Sequence, residues 1–174
     1  MKWRVLLRVL LVVSVAATIG CDRLTKRIAA DRLAGSPGRS FFADTLRLEY
    51  AENTGGFLSL GEQLPPTVRR VVFVGGTGLL LLVLVVGLMR GSSGIPRRDV
   101  SVAGVAFFVA GGVSNWVDRL AHGHVVDFIV MRLGPLRTGV FNVADVAILI
   151  GAALILVAHM TAPADPSDEC ANAR

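Results

Sequence analysis

Carboxylates and amides recur between Gly111 and Asp145 in a chain whose other long runs are apolar: Asn115, Asp118 and Arg119, then Asp127, then Asn142 and Asp145. An ionised Asp at the centre of a spanning helix costs about 2.5 to 3.5 kcal/mol, so a membrane chain keeps one only for a compensating reason. Two carboxyls brought together in low dielectric cannot both ionise easily; they share a proton, one serving as base and the other as acid. Such a pair activates water and suits amide hydrolysis without a Ser or Cys nucleophile. The anionic Asp takes a proton from water while the neutral one polarises the carbonyl and helps protonate the leaving nitrogen. No Gly-x-Ser-x-Gly occurs, and no cysteine accompanies the histidines near the cluster. His122-Gly123-His124 raises a zinc site, but a spacing of two with Gly between makes a weak ligand set. Neither a metal nor a cofactor is expected.

The elements that must position these residues are membrane spans. The chain has 174 residues, 53% of them hydrophobic, with a mean hydropathy of +0.62, too apolar for an ordinary soluble domain. Residues 5–21, 71–89, 100–117 and 140–160 approach or reach the roughly 20 apolar residues that cross the hydrocarbon core. This predicts one integral membrane domain over 1–174, mainly α, with four transmembrane helices. The net charge of +5 does not point to nucleic acid, because no basic stripe with interleaved aromatics is present and Arg at span ends commonly meets headgroups. Cys21 and Cys170 fall on opposite membrane faces, which excludes a bridge between them. The opening Met1-Lys2-Trp3-Arg4 and Cys21 could suggest a removable lipoprotein signal, but Arg8 interrupts the apolar run and three more spans follow, so the segment is read as a retained span.

Between the first two spans the chain cannot cross. Asp22 to Ala34 continues the first helix until Gly35-Ser36-Pro37-Gly38 breaks it. Thr45 to Tyr50 then alternates polar and apolar, Asn53-Thr54-Gly55-Gly56 has turn chemistry and 57–60 is a second apolar run, predicting a small β-hairpin within an extracytoplasmic segment of about 35–66. The second connection carries Arg90, Arg97 and Arg98 and reads as a cytoplasmic turn, which with Lys2, Arg4 and Arg8 puts the N-terminus inside. The first connection opposes this count with Arg23, Lys26, Arg27, Arg32, Arg39, Arg47, Arg69 and Arg70. Whichever orientation holds, Asp118, Asp127, Asn142 and Asp145 fall near one membrane face. Asn115 and Asp118 share one helix face and Asn142 and Asp145 another, while Gly111 and Gly112 admit close approach of a neighbour. Spacing alone does not choose between Asp118 and Asp127 as partner to Asp145.

Five segments in order, Asp22 to Lys26, Asn53 to Phe57, Gly111-Gly112-x-x-Asn115-x-x-Asp118-Arg119, Val125-Val126-Asp127-Phe128 and Phe141-Asn142-x-Ala144-Asp145, together resemble the bacterial lipoprotein signal peptidase family, also called signal peptidase II. The resemblance covers nearly the whole chain. It implies a four-helix inner-membrane aspartyl protease with a small extracytoplasmic β-sheet, both termini cytoplasmic, acting near the extracytoplasmic face. The implied substrates are prolipoprotein signal peptides preceding a diacylglyceryl-modified cysteine, with membrane lipid as the other partner and a monomer as the working unit. Asp127 and Asp145 would be the catalytic dyad. Asp118 would be a structural partner of Arg119. Asn53, Gly55, Asn115, Arg119 and Asn142 would line the site, and Asp22 and Lys26 would support the outer end of the first helix.

Two departures stand out: Ser114-Asn115-Trp116 where many members have a small residue and then Asn-Leu, and a shorter run from Asn53 to Phe57. Blander roles exist for each residue. Asp22 and Lys26 could be an exposed helix pair, Asn53 and Gly55 a plain turn, Asp127 a loop acid, and Asp145 an acid favoured at a helix N-terminus. The alternative function is a small transporter or proton-conducting subunit using the Asp/Asn cluster, which would require polar residues through the full depth; the second span is apolar throughout.

Overall fold

The computed structural model describes residues 2–56, 60–90 and 99–161. Helix α1 (Lys2–Leu33) is followed by strands β1 (Arg39–Phe41) and β2 (Leu46–Asn53). A short helix α2 (Pro66–Arg70) runs through a π-helical stretch (Val71–Gly76) into α3 (Thr77–Arg90). Helix α4 (Asp99–His122), strands β3 (Val125–Leu133) and β4 (Leu136–Arg137) and helix α5 (Val143–Met160) complete the order.

Three helical segments are long and apolar enough to cross a membrane: Pro66–Gly87, Val100–His122 and Val143–Met160. They belong to a multi-pass membrane protein, and Leu79, Leu82, Val83, Leu149, Leu156 and Val157 are more than half exposed on their outer faces. The helices outrun the apolar stretches read from sequence at three of four places. α1 continues beyond 21 to Leu33 because Asp22, Lys26, Ala29 and Leu33 recur at helical spacing and are all buried. It stops where Gly35 takes a φ of +70° and Ser36 N–H reaches back to Leu33 O at 3.1 Å. The second span begins at Pro66, whose missing N–H costs nothing at a helix start. α4 runs past 117 to His122. The fourth starts later than residue 140, at Val143, because Asn142 caps it and Phe141 is engaged in a bridge to Ile129.

The sheet takes in strands beyond the expected hairpin. It is antiparallel in the order β1-β2-β3-β4, so β2 pairs with β1 and with a strand that follows α4. Of the expected second apolar run over 57–60, residues 57–59 lie outside the described residues and Leu60 sits in a turn, its carbonyl accepting from Gly56 N–H at 2.7 Å. β3 was not foreseen, and its run of Val, Phe and Ile is what fits a half-buried pleated surface. A register shift between Leu48 and Ala51 bends β2 over α1, where Ala29, Leu33 and Phe128 form a small core with Leu48, Tyr50 and Ile129 packed around it.

α4 and α5 meet backbone to backbone. A Cβ on Gly111 would collide with Ala144 O, and one on Gly151 would lie 2.5 Å from Phe108 N. The close approach expected of Gly111 is therefore made with α5, at the turn that carries Asp145; Gly112 instead faces Leu81 of α3.

Candidate active site

The polar residues converge where the outer end of α1, the C-terminal half of α4, the ends of β2 and β3 and the N-terminus of α5 come together. Lys26 is the hub on the α1 side. Its ammonium has three donors, and all are used: Asp22 Oδ2, Asn115 Oδ1 and Asp118 Oδ2 each lie 2.7 Å away. Asp22 is fully buried and does more than pair with Lys26. Its Oδ1 accepts from Ala144 N–H at 2.8 Å and its Oδ2 from the Ser114 hydroxyl at 2.7 Å, tying α1 to α4 and to the first turn of α5.

Asp118 does not pair with Arg119. Neighbouring helix residues point about 100° apart, so Asp118 faces Lys26 while Arg119 turns to the loop after β2. There its guanidinium donates to Gly55 O through Nε and Nη2 and to Asn115 O through Nη1, and stands 5.9 Å from the Phe73 ring centre.

Asp145 is the third residue of α5. In a reciprocal cap, Asn142 Oδ1 accepts from Asp145 N–H at 3.0 Å and Asp145 Oδ2 accepts from Asn142 N–H at 3.1 Å. Asn115 Nδ2 donates to the other oxygen, Oδ1, at 2.9 Å. Asp127 lies on β3 and is 1% exposed, not in a solvated loop. Its two oxygens accept from Asn142 Nδ2 and from Asn53 Nδ2, the latter at 2.8 Å. Asn53 also donates to Gly56 O at 2.9 Å and accepts from Gly55 N–H at 2.9 Å, so the turn after β2 is folded around the same amide. Burial pushes the Asp127 carboxyl up to about 6, opposed by the Asn53 donor and reinforced by the charge of Asp145.

The ten residues singled out from sequence are thus one connected network: Asp22, Lys26, Asn53, Gly55, Asn115, Asp118, Arg119, Asp127, Asn142 and Asp145. Four of its members are carboxyls and two are cations. Lys26 is committed to Asp22 and Asp118, which leaves Asp127 and Asp145 with amide donors as their direct partners. His122 and His124 stand apart, ring centres 6.1 Å from one another, with His124 Nδ1 3.8 Å from Glu52.

Ser114, Trp116, Phe73 and Arg69 also shape the site and were not singled out as site residues. The Trp116 indole donates to Val74 O at 2.7 Å, inside the π-helical stretch, and packs on Gly78. One residue before Val74, Phe73 lies against Gly56 and Gly61, and Arg69 reaches Thr54 Oγ1 and Glu62 O. A π-helical turn shifts the residues before it around the helix relative to those after it, and this one presents Phe73 and Arg69 to the turn that holds Asn53. Beside that turn is a cavity of about 290 Å³ whose lining includes Thr54, Arg69, Phe73 and Arg119. The signal in the sequence was Gly75-Gly76 next to Gly78, with an indole on the facing helix.

Comparison with known proteins decides the family. The family model described as Peptidase_A8, signal peptidase (SPase) II, matches residues 14–161. The chain belongs to the signal peptidase II family. The lipoprotein signal peptidase of Chlorobaculum tepidum is 36% identical over 152 residues, covering 79% of this chain and 86% of the relative. That of Chlorobium phaeobacteroides is 32% identical over 154 residues, covering 84% and 87%. Two solved structures of bacterial membrane enzymes, obtained by the in meso method at 2.3 and 1.9 Å resolution, superpose with TM-scores of 0.74 and 0.75 at 23% and 22% identity. They cover 86% and 88% of this chain and 87% and 94% of theirs, and show that the fold is shared.

Proposed function

We propose that this member of the signal peptidase II family is an aspartyl endopeptidase of the bacterial inner membrane that removes signal peptides from diacylglyceryl-modified prolipoproteins, with Asp127 and Asp145 as its catalytic pair. The observation that carries this reading is the shared partner of the two acids: Asn142 donates to one and caps the helix of the other. Low exposure, at 1% and 7%, makes two separate negative charges costly there. A single shared proton relieves that cost and supplies the acid and the base that hydrolysis requires.

In the reaction, the ionised acid takes a proton from water as the hydroxyl attacks the scissile carbonyl. The protonated acid hydrogen-bonds the carbonyl oxygen as it gains charge. Collapse of the tetrahedral diol returns a proton to the leaving nitrogen, giving a carboxylate on the signal peptide and a free amine on the modified cysteine. Asn115 and Asn142 hold the acids, Asn53 and Gly55 form the adjoining turn, Arg119 anchors it, and Asp22, Lys26 and Asp118 fasten the helices behind. α1 joins the three apolar segments as a fourth span, both termini are cytoplasmic, and the sheet lies at the extracytoplasmic surface. The domain works as a monomer and without metal.

The test uses detergent-purified protein with a synthetic prolipoprotein, with and without the diacylglyceryl group, before and after exhaustive chelation. Cleavage of the modified substrate alone, unchanged by chelator and with the new N-terminus at the lipid-bearing cysteine, is expected. Activity lost on chelation and restored by zinc would overturn the aspartyl mechanism.

A further inference from the structure

Residues 22–70, between the first two apolar stretches, carry eight Lys and Arg, a count that runs against the orientation proposed above. Arg47 and Arg69 have partners within the fold. The guanidiniums of Arg32 and Arg39 have none among the described residues. Both line a groove of about 330 Å³ between α1 and the sheet, whose other walls include Ile28, Ala29, Phe41, Leu48 and Phe128. Three- and four-residue spacing puts Ile28, Ala29 and Arg32 on one face of α1. Alternation puts Arg39 and Phe41 on one face of β1, with Arg39 opposite Leu48 in the ladder.

The neighbouring end of the sheet is apolar on its outside. Phe42, Leu133 and Leu136 are 79%, 75% and 71% exposed, and Arg132 N–H, bonded to Thr45 O at 2.8 Å, brings the two turns that carry them together. Phe42 is held there by a left-handed backbone, φ 53°, unusual for a bulky residue. Clustered exposed apolar side chains of this kind mark a surface that meets something apolar.

We propose that this groove holds an anionic phospholipid, its phosphate on Arg32 and Arg39 and part of one acyl chain along Ile28, Phe41, Leu48 and Phe128. Planar guanidinium forks match phosphate oxygens. The apolar walls suit a hydrocarbon chain. The groove's place at the outer end of α1 is where headgroups stand, so two Arg on the outer side gain a partner that the fold itself does not supply.

The test is native mass spectrometry of the full-length protein titrated with dioleoyl phosphatidylglycerol, or with phosphatidylcholine or diacylglycerol carrying the same chains. Phosphatidylglycerol should be retained preferentially. Arg32→Gln/Arg39→Gln should weaken its retention roughly 30-fold, about fivefold for each cation lost, and Arg32→Lys/Arg39→Lys should recover part of it, which separates loss of the site from loss of the fold. Arg23→Gln/Arg27→Gln, on the opposite face of α1, should leave retention unchanged. Excess inorganic phosphate should not displace the lipid, because the acyl chain supplies part of the hold. Equal retention of phosphatidylglycerol and phosphatidylcholine, indifference to Arg32→Gln/Arg39→Gln, an equal loss in Arg23→Gln/Arg27→Gln, or displacement by phosphate would overturn the proposal.

Discussion

Asn142 fastens Asp127 to the start of α5: the amide that donates to Asp127 Oδ1 belongs to the residue whose carbonyl oxygen caps Asp145 N–H. One side chain therefore sets the strand acid against the helix acid. Asn142→Ala removes the cap, worth about 1 kcal/mol, and leaves Asp127 with one side-chain donor. Thermal unfolding should fall by a few degrees, while kcat should fall by roughly 100-fold, the penalty for misplacing a reacting group. A loss of activity no larger than the lost stability explains would argue against this positioning role.

The raised Asp127 carboxyl has a consequence for stability. Its folded value of about 6 stands above the ordinary 3.8, so between these values the folded protein binds a proton that the unfolded chain has released. Stability is therefore lost as pH rises from about 4 to about 6, by up to about 3 kcal/mol. Asp127→Asn has no such proton to lose. The wild-type melting temperature, measured against that of Asp127→Asn, should decline across this range and level off above pH 7.

Lys26 is the costliest side chain to remove. Lys26→Met strands Asp22 and Asp118 without their cation and should cost about 3 to 5 kcal/mol. Asp118→Asn still offers Lys26 an acceptor and should cost about 1 kcal/mol. Unfolding in detergent measures both, and turnover by Asp118→Asn should remain within about tenfold of wild type, as befits a residue that holds Lys26 and does not touch substrate.

Trp116→Phe keeps an aromatic ring beside Gly78 but removes the N–H given to Val74 O. A loss of about 1 kcal/mol is expected. Because the π-helical stretch presents Phe73 and Arg69 to the turn around Asn53, KM should rise more than kcat falls. Equal effects on the two would place Trp116 outside the path to the site.

How far this could be read from residues alone depended on the range of the interaction. Apolar runs, the Gly35 break and the Asn142–Asp145 spacing are local signals, and each located its element to within a few residues: α1 continues to Leu33, next to the expected break, and the differences lie at the start of the second span, the end of α4 and the start of α5. Partner choice is not local. Asp118 and Arg119 are adjacent in the chain, yet their directions on α4 send them to α1 and to the β2 loop. β2 was legible as a strand, but its partner β3 lies beyond α2, α3 and α4, and nothing in an alternating pattern says which other run will pair with it. Bringing Asp127 to Asp145 depended on that pairing. The choice of Asp127 over Asp118 therefore came from family resemblance, and it accords with Lys26 neutralising Asp118 in the fold.

The most direct test of the central claim is single-turnover cleavage of a diacylglyceryl-modified prolipoprotein by detergent-purified Asp127→Asn, Asp145→Asn and Asp118→Asn, each shown to be folded by its melting curve. The dyad predicts that the first two lose cleavage by at least about 10⁴-fold while still binding the substrate, and that Asp118→Asn continues to cut. Near-normal cleavage by folded Asp127→Asn, together with its loss in folded Asp118→Asn, would contradict the assignment and give the second catalytic carboxyl to Asp118.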